Sequence, residues 1–358
     1  MQRSFWLELA ASGVRFPIGT DLVLHEEPDP EAVVLDGTAL GKVVRRAAET
    51  WHSRLGVPLM NLRLEKADLL AALGIPETNA DTFHFEEDSG EGALETVKAA
   101  SAAPFARRNQ AHIDAIRYIA RETPLTPIGM AIGPFSLMTK LLRDPITAVM
   151  LAGMGSDDPQ ALAAARSLAL AEEAVARSVE AQIAAGAAAI IFCEPAANRV
   201  YISPRQIERG SDTFERFVMQ PNLRLKQRLE RHGVDLIFHD CGETTTFMVR
   251  EIATRLRPVM LSLGSSRRLW EDAQVVPPDV VLYGNLPTKS FYSDSVMPPE
   301  KVASLTAGLL GEMRRTGHPF ILGSECDVLD VPESRQTIRR KVEIMMNCRG
   351  PEPAVRQP

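Results

Sequence analysis

Cysteine is scarce in this chain. There are four in 358 residues (Cys193, Cys241, Cys326 and Cys348), too few and too scattered for a disulfide framework. Positive charge is not concentrated anywhere. The formal net charge is -6 and no block of Lys and Arg occurs, so nothing points to nucleic acid as a partner. No apolar run approaches the roughly 18 residues of a membrane span. Met1–Gly13 is broken by Glu8 and lacks the layout of a signal peptide. Repeats, low-complexity tracts and linker-like shifts of composition are also missing. These absences lead us to expect a cytoplasmic protein that engages neither nucleic acid nor membrane.

Apolar material is plentiful, at 45% of residues, and it is distributed in a pattern. Eight short apolar runs recur: Val57–Arg63, Asp81–Phe85, Leu125–Met130, Ala188–Cys193, Asp235–His239, Pro258–Leu263, Asp279–Tyr283 and Pro319–Leu322. Their near-continuous hydrophobicity suits strands buried on both faces, as in a parallel sheet. Helical patterns separate most of them. Pro159–Ala185 is long and Ala-rich and follows Asp157-Asp158 as possible caps; Thr244–Leu256, Glu300–Thr316 and Glu333–Met346 are amphipathic. Strands alternating with helices imply right-handed βαβ units, and eight of them suggest an α/β fold of the (β/α)8 TIM-barrel type. Residues 1–55 do not follow the alternation. Arg15–Leu24 reads as extended and Leu40–His52 as helical, so this part is expected to form an N-terminal cap on a barrel spanning 56–348. The Pro-containing tail 349–358 is expected to fray.

Chemistry in a (β/α)8 barrel sits at the C-terminal ends of the strands. His239, Cys241 and Cys326 all fall at or just past such ends. Residues i and i+2 of a strand point to the same side, so His239 and Cys241 can converge on one ion if the extended conformation persists. One imidazole and two thiolates suit zinc and leave a fourth position for something that reacts. Any one of these residues taken singly reads more simply as a hydrogen-bonded His or a small buried hydrophobe. Their joint placement carries the metal reading.

Other polar residues sit at the same rim. Glu194 ends an apolar strand and is a fourth ligand or a base, or else a structural partner to a backbone amide. Cys193 should point away from the mouth, toward the helices. Asp240, between two ligands, should also point away from the metal. Asn61 and Arg63, at the end of the first run, could hold a polar or anionic part of a substrate. Asn285 could line the mouth or simply make a turn, and His84 could reach the mouth from the second run.

Five segments resemble the uroporphyrinogen decarboxylase superfamily. They are Ile132-Gly133-Pro134-Phe135, Phe192-Cys193-Glu194-Pro195-Ala196, Ile202-Ser203-Pro204, His239-Asp240-Cys241-Gly242 and Tyr283-Gly284-Asn285-Leu286, in the family's order. The resemblance covers roughly residues 40–348. It implies a (β/α)8 barrel and one of two activities. Haem-pathway decarboxylases use an R-Q-A-G-R motif after the first strand and a His after the last. Here Asn61-Leu62-Arg63-Leu64-Glu65-Lys66 has one Arg, and Leu322-Gly323-Ser324-Glu325-Cys326 has no His. The zinc-dependent methyltransferases instead carry H-x-C…C, which His239, Cys241 and Cys326 match. That branch implies Zn2+, a methyl group exchanged with a corrinoid (cobalamin), and a small acceptor such as coenzyme M or tetrahydrofolate. The chain lacks the corrinoid-binding D-x-H-x-x-G motif. The cobamide is therefore expected on a partner protein docked over the C-terminal face.

Overall fold

The computed structural model of the protein describes residues 3–86 and 88–348. The tail expected to fray, 349–358, lies outside them. The fold is α/β. Seven strands form one sheet in the order of the sequence: β1 Leu55–Gly56, β2 Thr126–Ile132, β3 Ala189–Cys193, β4 Asp235–Asp240, β5 Met260–Leu263, β6 Val281–Leu286 and β7 Phe320–Ser324. Every neighbouring pair is parallel. The five residues of β3, Ala-Ile-Ile-Phe-Cys, are all buried, as expected for a strand covered on both faces.

The sheet is curled. Leu55, Ile128, Ile191, Ile237, Met260 and Tyr283 come from six successive strands and line one apolar interior together with Phe16 and Ile18. The N-terminal segment bridges the two ends of the sheet. Arg15 and Ile18 pair in parallel with Leu322 and Asp327. Ile18 N–H donates to Ser324 Oγ at 3.0 Å, and Thr20 Oγ1 donates to the Val57 carbonyl at 2.7 Å. Further toward the terminus, the helix Arg3–Ala11 lies under the N-terminal ends of the strands. Trp6 Nε1 donates to Asp235 at the start of β4, and Arg3 binds the carbonyls of Arg257, Pro258 and Asp279.

Two expectations are corrected here. Among the described residues there are seven strands, not eight. Residues 81–85 form no strand and make a single bridge, Phe85 to Leu142. They are largely exposed, and alternating aromatics in an exposed loop imitate the period of a strand. The first strand is also far shorter than Val57–Arg63. It ends at Gly56, and Pro58 and the Asn61 turn lead the chain into the helix Leu64–Ala72. Of the stretch Arg15–Leu24, residues 15–18 are extended while Thr20–Leu24 is helical.

The helices begin where side chains satisfy their free N–H groups. Asp158 accepts from Gln160 N–H, with Pro159 at the first helical position of Pro159–Ala184. Asp36 does the same for Ala39 at the head of Gly37–Thr50. No helix among the described residues is long and apolar enough to cross a membrane.

Between helices Leu64–Ala72 and Pro159–Ala184 lies a buried acid. Glu65 Oε1 accepts from Ser178 at 2.9 Å, its other oxygen has no partner, and burial raises its pKa to about 7. Between about pH 4.5 and 7 the folded chain therefore holds a proton that the unfolded chain has released. The associated stability is complete below about pH 4.5, falls as pH rises through 7, and amounts to roughly 3 kcal/mol. Buried His112, pushed down to about 4, acts with opposite sign and costs stability as pH falls below about 6.5. Glu65→Gln removes the first contribution alone. We expect it to match wild type at pH 5 and to exceed it in denaturant midpoint at pH 8. An equal difference at both pH values would contradict this.

Candidate metal centre

The C-terminal ends of β4 and β7 bring three ligand atoms together. His239 is the fifth residue of β4, Cys241 follows its last residue, and Cys326 lies two residues past β7. One ligand atom from each lies within 4.8 Å of the others. His239 is 1% exposed, and the two cysteines are half-buried.

The imidazole is held in one orientation. Its Nδ1 is 2.8 Å from Ser262 Oγ. Ser262 lies directly across the ladder, because His239 pairs with Ser262 in the register of β4 and β5. Nε2 is left buried with no hydrogen-bond partner. An orphaned buried acceptor is costly unless something binds it. Its position beside two thiols suits a soft divalent cation such as zinc, whose His ligands are oriented through the second ring nitrogen. The donor set thus fits the metal that the sequence suggested.

The two thiols interact with each other, with His239 adding to the stabilisation of a thiolate on Cys241, while the Cys326 Sγ also lies 3.7 Å from Met60 Sδ. Cys241 is therefore held well below the ordinary thiol range, and the same pairing keeps the proton on Cys326. Lys289, on the turn after β6, points its ammonium at this pair. Burial would lower its pKa, but the sulfurs of Cys241 and Cys326 and the Glu325 carboxylate outweigh that and leave it raised. Glu325 is itself fixed, accepting from Ser265 Oγ at 2.5 Å and from the Lys289 N–H at 3.4 Å. Close packing shapes the rim. A side chain at Gly264 would come within 2.6 Å of the Cys241 carbonyl.

Glu194 does not join the three ligands. It is fully buried; Oε1 accepts from Phe135 N–H at 3.1 Å and Asn222 Nδ2 at 2.9 Å, and Oε2 from Ser136 N–H at 2.8 Å. Burial raises its pKa against these bonds. It caps the helix Pro134–Leu141 from across the sheet, and only Gly133 lets it approach, since a Cβ there would lie 2.0 Å from its carboxyl carbon. Of the readings open for Glu194, the structure assigns the partner to backbone amides.

The remaining expected residues are placed apart from the cluster. Asp240 points away from it, as strand alternation requires, and accepts from Gly242 N–H at 2.8 Å. Asn61 accepts from Arg63 N–H, and Arg63 pairs with Asp81 at 2.9 Å. Both line a separate surface cleft with Glu77 and Arg108. Asn285 donates to the carbonyls of Gly264 and Arg267, which pins the chain leaving β5. His84 is exposed and bonds the Thr82 carbonyl. Cys193 corrects an expectation. It does not point toward the helices but shares the interior face with Ile191 and its ladder partner His239, outside the group of three ligands, with its thiol pushed well up by burial.

Sequence reasoning passed over Ser262, Lys289 and Met60. Ser262 left one signal, the only hydroxyl in an otherwise apolar strand. Lys289 and Met60 left none, because each meets the cysteines only through the curl of the sheet.

A sheet of consecutive parallel strands with a His and two Cys at its C-terminal rim defines a class of α/β proteins built around one rim site. The family profile described as Uroporphyrinogen decarboxylase (URO-D) matches residues 90–346. The chain belongs to that family. Among solved structures, a methyltransferase from Methanosarcina mazei is similar with a TM-score of 0.64 and 15% identity, over 93% of each chain. At that identity the likeness speaks for the fold. A 3-keto-D-glucoside 4-epimerase from E. coli overlaps more loosely, with a TM-score of 0.40 and 14% identity over 74% of this chain and 98% of that one. No match is found among curated proteins.

Proposed function

We propose that this protein is a zinc-dependent methyltransferase that exchanges a methyl group between a corrinoid carried by a partner protein and a small acceptor, either a thiol such as coenzyme M or else tetrahydrofolate. The observation that carries this reading is the convergence of His239 Nε2, Cys241 and Cys326 within 4.8 Å, with Nε2 otherwise unbonded. Two thiolates and one imidazole donate much charge to a metal. A His-only site would instead favour activation of water. When bound, zinc would keep an acceptor thiol deprotonated and nucleophilic at neutral pH.

The chain's own residues supply the rest. His239, Cys241 and Cys326 would hold the ion, and Ser262 fixes the imidazole. Lys289 sets a positive charge beside the sulfurs and favours an anionic acceptor there. In the transfer the acceptor's sulfur, or the nitrogen of tetrahydrofolate, would bond to the methyl carbon and lose its proton as the cobalt–carbon bond breaks with its electron pair left on the partner's cobalt. The reaction needs a partner at the mouth. Large apolar side chains stand exposed on the segments after four strands: Val200 after β3, Phe247 after β4, Tyr292 after β6 and Leu329 after β7.

The test is incubation of zinc-loaded protein with methylcobalamin and coenzyme M, and separately with tetrahydrofolate. Methyl transfer is followed by the loss of methylcobalamin absorbance and by mass spectrometry of the acceptor. We expect transfer to one acceptor. No transfer to either, together with decarboxylation of uroporphyrinogen, would reverse the assignment.

A further inference from the structure

Three ligands leave one vertex of a tetrahedral site, and the structure limits what can fill it. Among the described residues, no fourth His, Cys, Asp or Glu joins the group. The acids nearby hydrogen-bond to other groups, although Asp240 Oδ2 and Asp327 Oδ1 are left unbonded. Glu194 is bound by two backbone amides and Asn222, Glu325 by Ser265 and the Lys289 amide, and Asp240 by Gly242. A thioether remains. Met60, on the loop after β1, places its Sδ 3.7 Å from Cys326 Sγ. Two sulfurs bound at about 2.3 Å to one tetrahedral zinc stand about 3.8 Å apart. Met60 is already near that spacing.

Its position is not left to a flexible loop. The Asp327 carboxylate, next to Cys326 in sequence, accepts a hydrogen bond from the Met60 backbone. The loops after β1 and β7 are thus tied together at the point where the two sulfurs meet. Thioether sulfur is a soft donor that zinc accepts alongside thiolate.

Resting on the metal reading above, we propose that Met60 Sδ is the fourth protein ligand of the resting site. The ligand set is then one nitrogen and three sulfurs. A thioether is neutral and binds less strongly than a thiolate, so an arriving acceptor thiolate takes its place while the other three ligands stay. A methyl-thioether product is chemically the same donor as Met60 itself. Met60, held in place by its backbone, competes with it on favourable terms and promotes its release.

X-ray absorption at the zinc edge, on zinc-loaded wild type and Met60→Leu, tests this without reference to turnover. Leucine keeps the apolar volume and removes only the donor. We expect one nitrogen and three sulfurs in wild type. In the variant we expect two sulfurs and an added oxygen, with zinc affinity in chelator competition weaker on the order of tenfold. A wild-type spectrum with two sulfurs overturns the assignment of Met60 while leaving the metal site intact, and so does a variant that matches wild type in both measurements. A wild type that binds no zinc overturns both this proposal and the reading beneath it. The wild-type spectrum decides even if the variant folds poorly.

Discussion

Replacing Cys326 by alanine should strip the protein of metal. A structural zinc site in a small peptide is worth about 10–16 kcal/mol, so one of four ligands contributes roughly 3 kcal/mol, on the order of a hundredfold in affinity. Wild type should carry one zinc per chain after dialysis against a weak chelator, and Cys326→Ala should carry almost none. Methyl transfer should disappear with the metal. Cys193→Ala is the matched control. That thiol ends β3 directly across the ladder from His239, yet it is not one of the three converging ligands. It should lose some stability to the vacated volume and keep its zinc. Full zinc in Cys326→Ala would show that the two halves of the site do not meet on one ion, and the proposed chemistry would go with it.

The second large effect is on stability alone. Glu194→Ala removes the acceptor for two backbone N–H groups and the Asn222 amide, all in the interior. Each donor left unsatisfied there costs about 1–3 kcal/mol, so the variant should lose about 3–5 kcal/mol by denaturant unfolding. The folded fraction should hold as much zinc as wild type. Glu194→Gln should fall between, because one of its amide positions faces a backbone donor with another donor. A folded Glu194→Ala protein that has lost its zinc would place this carboxylate on the metal instead of at the helix terminus.

These two predictions separate residues that look alike in the sequence. Cys326 and Glu194 both stand at or past the end of an apolar run, and both were candidate ligands on the same grounds. The structure divides them by what surrounds each. Glu194 faces the N-terminus of Pro134–Leu141, where free N–H groups compete for its oxygens, and Gly133 opens the path. Cys326 faces the sulfurs of Cys241 and Met60, the His239 imidazole and the Lys289 ammonium.

What the sequence by itself determined is local. Apolar runs bounded by Gly, Pro and charged residues placed β2 to β7 within three residues of their observed limits, because strands buried on both faces leave no polar position to confuse the reading. Strand alternation put His239 and Cys241 on one side and Asp240 on the other, and they lie so. The same rules failed at Val57–Arg63 and at 81–85, where loops carry enough apolar side chains to imitate a strand. Tertiary structure alone decided the rest. Ser262 reaches His239 through the register of two strands. Met60 reaches Cys326 across 266 positions of sequence because the sheet curls and residues 15–20 span its two ends. Periodicity records which face a residue presents to its own core. Which side chains then meet across that core depends on curl and register, and those emerge only when all the strands are packed.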